Sequence, residues 1–176
     1  MAPGDQPQPV SNHQPVLVAC VARASQNADG TNRVVLELGC GHYSTPLLHG
    51  MCAVLGLTLV TMESDRDWLA RFKHLDDGGG HVVLHVGNWR DVRPMLRQPN
   101  ALVFLDHRPY EARGAALRDC GNSCLIVAHD TQEARRHAYQ YDFTPFKHRY
   151  DYTRYTPATT VVSNTDDLAW LEDLRL

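Results

Sequence analysis

Val34-Val35-Leu36-Glu37-Leu38-Gly39-Cys40-Gly41-His42-Tyr43-Ser44-Thr45 is a short apolar run that carries one acidic residue and ends in a glycine pair. An apolar run of this length reads as a buried parallel strand. The glycines let the backbone turn sharply and come close to a ligand before the next helix begins. Strand, glycine turn and helix in that order make a nucleotide-type cofactor site. A dinucleotide fingerprint requires G-x-G-x-x-G, with its third glycine for close helix packing and a pyrophosphate on the helix N-terminus. The third place here is Ser44. Glu37, two places before Gly39, is positioned to meet positive charge near the turn. A sulfonium ligand with a free amino group suits that better than a pyrophosphate.

Glu37-x-Gly39-x-Gly41 after a strand resembles motif I of the class I S-adenosylmethionine-dependent methyltransferases, a family with a Rossmann-like sheet. The resemblance implies that Glu37, Gly39, Cys40, Gly41, Ser44 and Thr45 surround the amino-acid part of S-adenosylmethionine. It also implies an acidic residue at the end of the second strand that binds the ribose hydroxyls. Residues 57–62 read as that strand, and Glu63, followed by Ser64, stands 22 positions after Gly41. An ionised carboxylate can accept from both hydroxyls at once. Past the third strand, at 81–86, comes Gly87-Asn88-Trp89. The family commonly presents an acidic side chain to the adenine amino group there. Asn88 can accept the same hydrogen bond without charge. Trp89 either stacks on adenine or anchors the core.

Residues 101–105 and 123–128 read as strands four and five, and open parallel sheets place ligands at the carboxyl ends of their strands. Those ends carry Asp106-His107-Arg108-Pro109-Tyr110-Glu111 and His129-Asp130-Thr131. They resemble the small O-methyltransferase-like branch of the family, some members of which hold a divalent metal with carboxylates at these two places. The resemblance puts acceptor chemistry on Asp106, His107, His129 and Asp130, with Asp106 also lining the cofactor. His129 and Thr131 flank Asp130 where the metal-dependent enzymes have an Asp-Asn pair. Two carboxylates and two histidines suit either a borderline divalent ion or a general base with its orienting partner, so a metal stays open. Asp130 also suits the N-cap of the next helix, with Glu133 at capping-box distance.

The remaining chain alternates as a doubly wound fold requires. Helices are expected at 16–24, 45–55, 64–74, 111–119 and 131–138, and β-rich segments at 150–155 and 159–162 form a closing hairpin. The expected fold is α/β: a Rossmann-like doubly wound, mostly parallel sheet closed by an antiparallel C-terminal hairpin, in an α/β/α sandwich. With 176 residues, 13–176 read as one methyltransferase-like domain, and the Pro- and Gln-rich residues 1–12 as a disordered tail without the features of a signal peptide or membrane span. His13 then stands at the entrance of the site. Five cysteines in apolar contexts read as buried free thiols of a reduced, cytoplasmic chain. His49, His74 and His137 fall at helix positions expected to be exposed. A formal net charge of −3 argues against nucleic acid held by bulk charge. The basic and aromatic residues between Arg135 and Tyr155 read as the outer face of the hairpin. A small-molecule acceptor and O-methylation are favoured, no membrane partner is expected, and a homodimer is compatible with the chain. The alternative is a non-catalytic methyltransferase-like module that works by protein or nucleic-acid contact.

Overall fold

The computed structural model describes residues 12–27 and 32–173. The tail expected over 1–12 lies outside them except for Asn12, which is buried. In chain order the elements are α1 (Gln14–Asn27), β1 (Val34–Leu38), α2 (Thr45–Leu55), β2 (Thr58–Glu63), α3 (Arg66–Ala70) and β3 (His81–His85). They continue with α4 (Arg93–Leu96), β4 (Leu102–Leu105), α5 (Ala112–Asp119), β5 (Leu125–His129), α6 (Glu133–Tyr139), β6 (His148–Tyr152), β7 (Thr159–Ser163) and α7 (Ala169–Asp173). The strands form one sheet in the order β3-β2-β1-β4-β5-β7-β6. β1 to β5 are mutually parallel, and β7 is antiparallel to both β5 and β6. Winding therefore reverses between β1 and β4, where a crevice opens above the strand ends.

Both faces of the central strands are covered, which is why these strands are apolar throughout rather than alternating. On one face α1 and α2 bury Val16, Leu17, Cys20, Val21, Leu48 and Cys52 against Val35, Leu59, Phe104 and Val127. On the other, α4, α5 and α6 bury Leu96, Ala116, Leu117 and Tyr139 against Leu36, Leu38, Val103, Leu105 and Ile126. Each large aliphatic side chain withdrawn in this way stabilises the fold by about 1.5–3 kcal/mol. Helix α1 is also tied to the far end of the chain. The Asp166 carboxylate accepts from Arg23 Nε at 2.9 Å, Asn27 Nδ2 at 3.1 Å and Trp170 Nε1 at 2.8 Å. That anchor fixes the helix whose first residues reach the crevice.

Several boundaries differ from the expected ones. Helix α1 starts earlier and ends later than 16–24. The helix expected over 64–74 is cut after five residues: Asp65 caps α3 through the Asp67 and Trp68 amides, and a 3-10 turn, Lys73–Leu75, follows. Trp68 Nε1 donates to the Cys40 carbonyl and Lys73 Nζ to the Val83 carbonyl, and these two tethers pull the segment onto the sheet. A 3-10 turn at Trp89–Val92 leads into α4, and both were missed because each is about one turn long. The closing hairpin is present, with its first strand two residues earlier than expected. All five cysteines are free, and four of them are buried. His74 and His137 are exposed as expected, while His49 is half-buried. Among the described residues no helix is long and apolar enough to cross a membrane.

Gly114 on α5 packs against the last turn of α6, and a Cβ there would lie 2.0 Å from the Gln140 carbonyl oxygen. Gly114→Ala must therefore push α5 and α6 apart. The expected outcome is a loss of about 1–3 kcal/mol in the denaturant midpoint analysis. A stability equal to wild type would show that the helices do not meet there.

Candidate functional site

The glycine turn is built by contacts that only these residues permit. Gly39 has φ +89, and a Cβ on it would stand 2.6 Å from the Asp106 carbonyl oxygen and from His107 Cα. The backbone leaving β1 thus lies directly on the backbone leaving β4. Gly41 N donates to Thr45 Oγ1 at 2.9 Å. Ser44 has no side-chain cap bond, so Thr45 and not Ser44 closes the start of α2. Glu37 is wholly buried behind the turn: Oε1 accepts from Thr45 at 3.0 Å and Oε2 from Thr61 at 2.7 Å. Burial pushes its carboxyl up to about 7, against the opposing pull of the Ser44, Thr61 and Thr45 hydroxyls.

Glu63 laces β2 to this turn. Its Oε1 accepts from Ser64 N at 2.6 Å, Asp65 N at 2.9 Å and Ser64 Oγ at 3.2 Å, while Oε2 accepts from Cys40 N at 3.2 Å. A carboxylate offers about four lone-pair positions, and Oε2, the less occupied oxygen, also has a weak contact from the Cys40 thiol at 3.8 Å. Asn88 Oδ1 accepts from Arg90 N at 3.0 Å and caps the 3-10 turn. Trp89 packs at a tilt against His107 with ring centroids 4.2 Å apart, and its Nε1 donates to the Arg108 carbonyl at 2.6 Å. Ser64 Oγ lies 3.2 Å from the same carbonyl and 3.2 Å from Glu63 Oε1, and its one proton serves one of the two at a time. The loops after β2, β3 and β4 are thereby drawn together over the crevice. A cavity of about 830 Å³ opens beside them, lined by Asn88, Trp89, Arg90, Pro109 and Ala112, and does not take in the glycine turn.

At the ends of β4 and β5 the structure brings Asp106, His129 and Asp130 together, each offering a ligand atom within 4.8 Å of the others. His107 is not among them. It is fully buried with neither ring nitrogen hydrogen-bonded. Burial, with the Arg113 charge beside it, drives its basicity down to about 3, and the structure does not bring His107 into the cluster with the three other residues expected to act on the acceptor. Asp130 is not a helix cap either. It has φ +60, Gln132 holds the N-cap position, and the Asp130 carboxylate points away from α6's amides. Oδ1 accepts from Arg135 Nη1 at 3.1 Å, and Oδ2 from Tyr139 Oη at 3.2 Å and Arg113 Nη1 at 3.4 Å.

Arg113 is the residue that sequence reasoning missed. It comes from α5, is 2% exposed, and pairs through Nη2 with Asp106 Oδ1 at 2.9 Å. Its Nε donates to the His107 carbonyl at 2.6 Å, and Nη1 to the His129 carbonyl at 3.4 Å. One guanidinium therefore joins the ends of β4 and β5. The only sequence signal is a lone cation among small and apolar residues in Ala112-Arg113-Gly114-Ala115-Ala116-Leu117. Burial pushes Asp106 up to about 6 against the Arg113 pull, although 29% of its side-chain surface stays in solvent. His129 Nδ1 is 3.2 Å from Thr159 Oγ1, and burial holds its basicity below the usual range. His13 packs edge-on against His129 at 4.8 Å, is 6% exposed, and burial lowers it to about 4. It lies inside the cluster, not at an open entrance.

These charges decide the fit of a metal. Asp106 and Asp130 are already balanced by Arg113 and Arg135, and a dication bound between the carboxylates would face the buried Arg113. Two unit positive charges 4 Å apart repel by about 4 kcal/mol at an effective dielectric of 20, and a dication doubles that. Asp106, His129 and Asp130 would have to draw in a divalent ion against that repulsion. Arg113→Met should destabilise the protein by about 3 kcal/mol at neutral pH, because it takes from Asp106 its paired cation and from Asp130 one of its two. The deficit should shrink in acid as Asp106 protonates. Denaturation at about pH 7.5 and about pH 5 checks it, and equal losses at both would remove the charge argument.

No protein-family model matches the chain, and no curated protein matches it in sequence. Solved structures do match it in shape. A protein from Klebsiella pneumoniae proposed to be an O-methyltransferase superposes with a TM-score of 0.61 at 17% identity, over 92% of this chain and 84% of that one. The Podospora anserina methyltransferase PaMTH1, crystallised with S-adenosylhomocysteine, gives 0.57 at 13% identity over 83% and 78%. The O-methyltransferase TomG of Streptomyces achromogenes, from tomaymycin synthesis and crystallised with S-adenosylmethionine, gives 0.56 at 17% identity over 88% and 86%. Sheet order, reversed β7 and the crevice between β1 and β4 agree with that likeness: the chain has the fold of the class I S-adenosylmethionine-dependent methyltransferases.

Proposed function

We propose that the chain is an S-adenosylmethionine-dependent methyltransferase that acts without a metal on a small acceptor, with a hydroxyl oxygen favoured. The observation that carries this is the Gly39 turn, pressed onto the Asp106–His107 backbone at the switch point and laced by Glu63. The solved O-methyltransferase of this fold cited above holds its cofactor as a crystallised complex. Here the backbone of Gly39, Cys40 and Gly41, with Ser44 and Thr45 behind it, would receive the amino-acid part. Glu63 Oε2 has acceptor capacity for a ribose hydroxyl, and the Asn88–Trp89 turn flanks the adenine side.

Methyl transfer is an in-line displacement at a carbon already activated by its sulfonium, so the protein supplies alignment and, for a hydroxyl acceptor, a base. Asp106 suits the base. Its carboxyl is partly open, only Oδ1 is taken by Arg113, and its titration near 6 sits close to the working range. His129, neutral and held at Nδ1 by Thr159, offers Nε2 to orient the acceptor. Asp130, gripped by Arg113, Arg135 and Tyr139, positions Arg113 and does not reach the reaction. One observation favours the second reading, a non-catalytic module: Ser64 and Trp89 both bond the Arg108 carbonyl across the crevice, so a cofactor must part them.

Calorimetric titration with S-adenosylhomocysteine, with NAD as control, separates these readings. S-adenosylhomocysteine is expected to bind and NAD to fail. Glu63→Gln keeps an oxygen for the backbone amides and loses the charge, so it should weaken binding by about 1.5 kcal/mol, roughly tenfold. Parent-like affinity would remove Glu63 from the ribose site. With labelled cofactor and pooled phenolic, carboxylic, amine and peptide acceptors, turnover should persist in a chelator. Asp106→Asn should abolish turnover while cofactor affinity is retained. Tight cofactor binding with no turnover on any acceptor would support the binding module.

A further inference from the structure

Beneath the glycine turn runs a continuous chain of hydrogen bonds. His49 Nδ1 lies 3.0 Å from His81 Nδ1, and His81 Nε2 lies 2.9 Å from Thr61 Oγ1. The Thr61 hydroxyl donates to Glu37 Oε2 at 2.7 Å. Thr45 donates to Glu37 Oε1 at 3.0 Å and accepts from the Gly41 amide at 2.9 Å. His81 is 2% exposed, and Thr61, Glu37 and Thr45 are 0% exposed. Half-buried His49 is the member of the chain that reaches solvent. Five side chains from α2, β3, β2 and β1 thus connect the surface to the backbone of the turn.

Proton counting shows what such a chain does. A hydroxyl has one proton to donate and a neutral imidazole one N–H. With Glu37 ionised, Thr61 donates to it, so Thr61 accepts from His81 Nε2–H and His81 Nδ1 accepts from His49 Nδ1–H. With Glu37 protonated on Oε2, every donor reverses. Glu37 donates to Thr61, Thr61 to His81 Nε2, and His81 Nδ1–H to His49 Nδ1, leaving the His49 proton on Nε2. The two arrangements differ by one proton. It is gained at His49 Nε2 and delivered to Glu37 by three successive transfers, with no imidazolium left behind.

We propose that His49 and His81 are positioning residues that set the protonation of Glu37, and that binding of an S-adenosyl ligand at the turn is linked to that one proton; this rests on the function proposed above. The groups facing Glu37 are the Ser44, Thr45 and Thr61 hydroxyls and, through charge alone, Asp106, while the Cys40 and Cys52 thiols respond to its charge. His81 faces His49, Asp76 and Asp77, and the Asp77 carboxylate also accepts the His81 amide. No cation among the described residues pairs with Glu37. The buried carboxyl titrates near 7 because burial outweighs its three hydroxyl donors. A ligand bringing an ammonium group, and a sulfonium in the methyl donor, favours the ionised form. Affinity therefore rises with pH through about 7, and binding just below that point releases a proton.

Infrared difference spectroscopy reads the protonated carboxyl of the ligand-free protein directly. Its band should titrate near 7 and be missing in Glu37→Gln, which keeps the shape of the side chain. Thr61→Val removes a donor to the carboxylate and should move the midpoint upward; His81→Phe and His49→Ala should displace it as well. A midpoint in the ordinary carboxylate range, or one unmoved in both histidine variants, would overturn the relay. Calorimetry with S-adenosylhomocysteine from about pH 6 to about pH 8 should show affinity improving roughly fivefold or more, with a pH-independent Glu37→Gln. Binding that stays flat across this range overturns the linkage alone. Absence of binding at any pH overturns the function on which the linkage rests.

Discussion

The contact between the Gly39 backbone and the backbone of Asp106 and His107 is the constraint on which the site depends. Two separate causes demand glycine there: φ is +89, and a Cβ would meet main-chain atoms at 2.6 Å. Main-chain atoms at strand ends cannot step aside as a flexible side chain can. The close approach sets where β1 ends relative to β4 and keeps the crevice floor free of side chains. It also holds Asp106 beside the turn. Cys40 can then present its amide to Glu63, and Gly41 its amide to Thr45.

Two buried acidic systems flank this contact, and they are stabilised by opposite means. At the ends of β4 and β5, Asp106 and Asp130 are matched by Arg113 and Arg135, so the cluster carries balanced charge. Behind the turn, Glu37 has hydroxyl partners and, among the described residues, no cation. Removing a partner from the first system strands a charge, which is expensive in a low-dielectric interior. The second avoids that cost by taking up a proton. The difference appears in the folded-state linkage. Glu37 contributes stability in full below the ordinary carboxylate range near 4.5 and loses it as pH rises to about 7. His13 works in the reverse sense: its neutral ring is an advantage above 6.5 that is lost as pH falls toward about 4.

What the sequence made legible was local. The apolar strand, the glycine turn and the acidic end of β2 lie within thirty or so residues, and their spacing carries their geometry. The place of Glu63 at the end of β2, beside the turn, was legible in that way. Arg113 was not, because its partners sit seven residues before it and seventeen after it, and only the closure of the sheet makes them neighbours. Asp130 shows the limit of a local motif. Asp130-Thr131-Gln132-Glu133 reads as a capping box, but a left-handed backbone at Asp130 delays the helix to Glu133 and frees the carboxylate for Arg113 and Arg135. His107 follows Asp106 directly past the end of β4, yet packs against Trp89 and not with His129 and Asp130. His49 and His81 gave no sequence signal, being 32 residues apart on a helix and a strand.

The position of β7 has a consequence for biosynthesis. β7 is inserted between β5 and β6, and all five of its residues are buried. Until residues 159–163 have left the ribosome, the hydrogen-bonding edge of β5 is unpaired and its neighbour β6 has nothing to join. Long-range pairing of this kind is slow and leaves sticky edges exposed while it is awaited. Thr159, the first residue of β7, is also the one that holds the His129 ring, so the strand-end cluster is the last part of the crevice to acquire its native shape. A nascent chain stalled before β7 would carry a formed glycine turn beside an unfinished strand-end cluster, and would be a target for holding chaperones at that stage of synthesis.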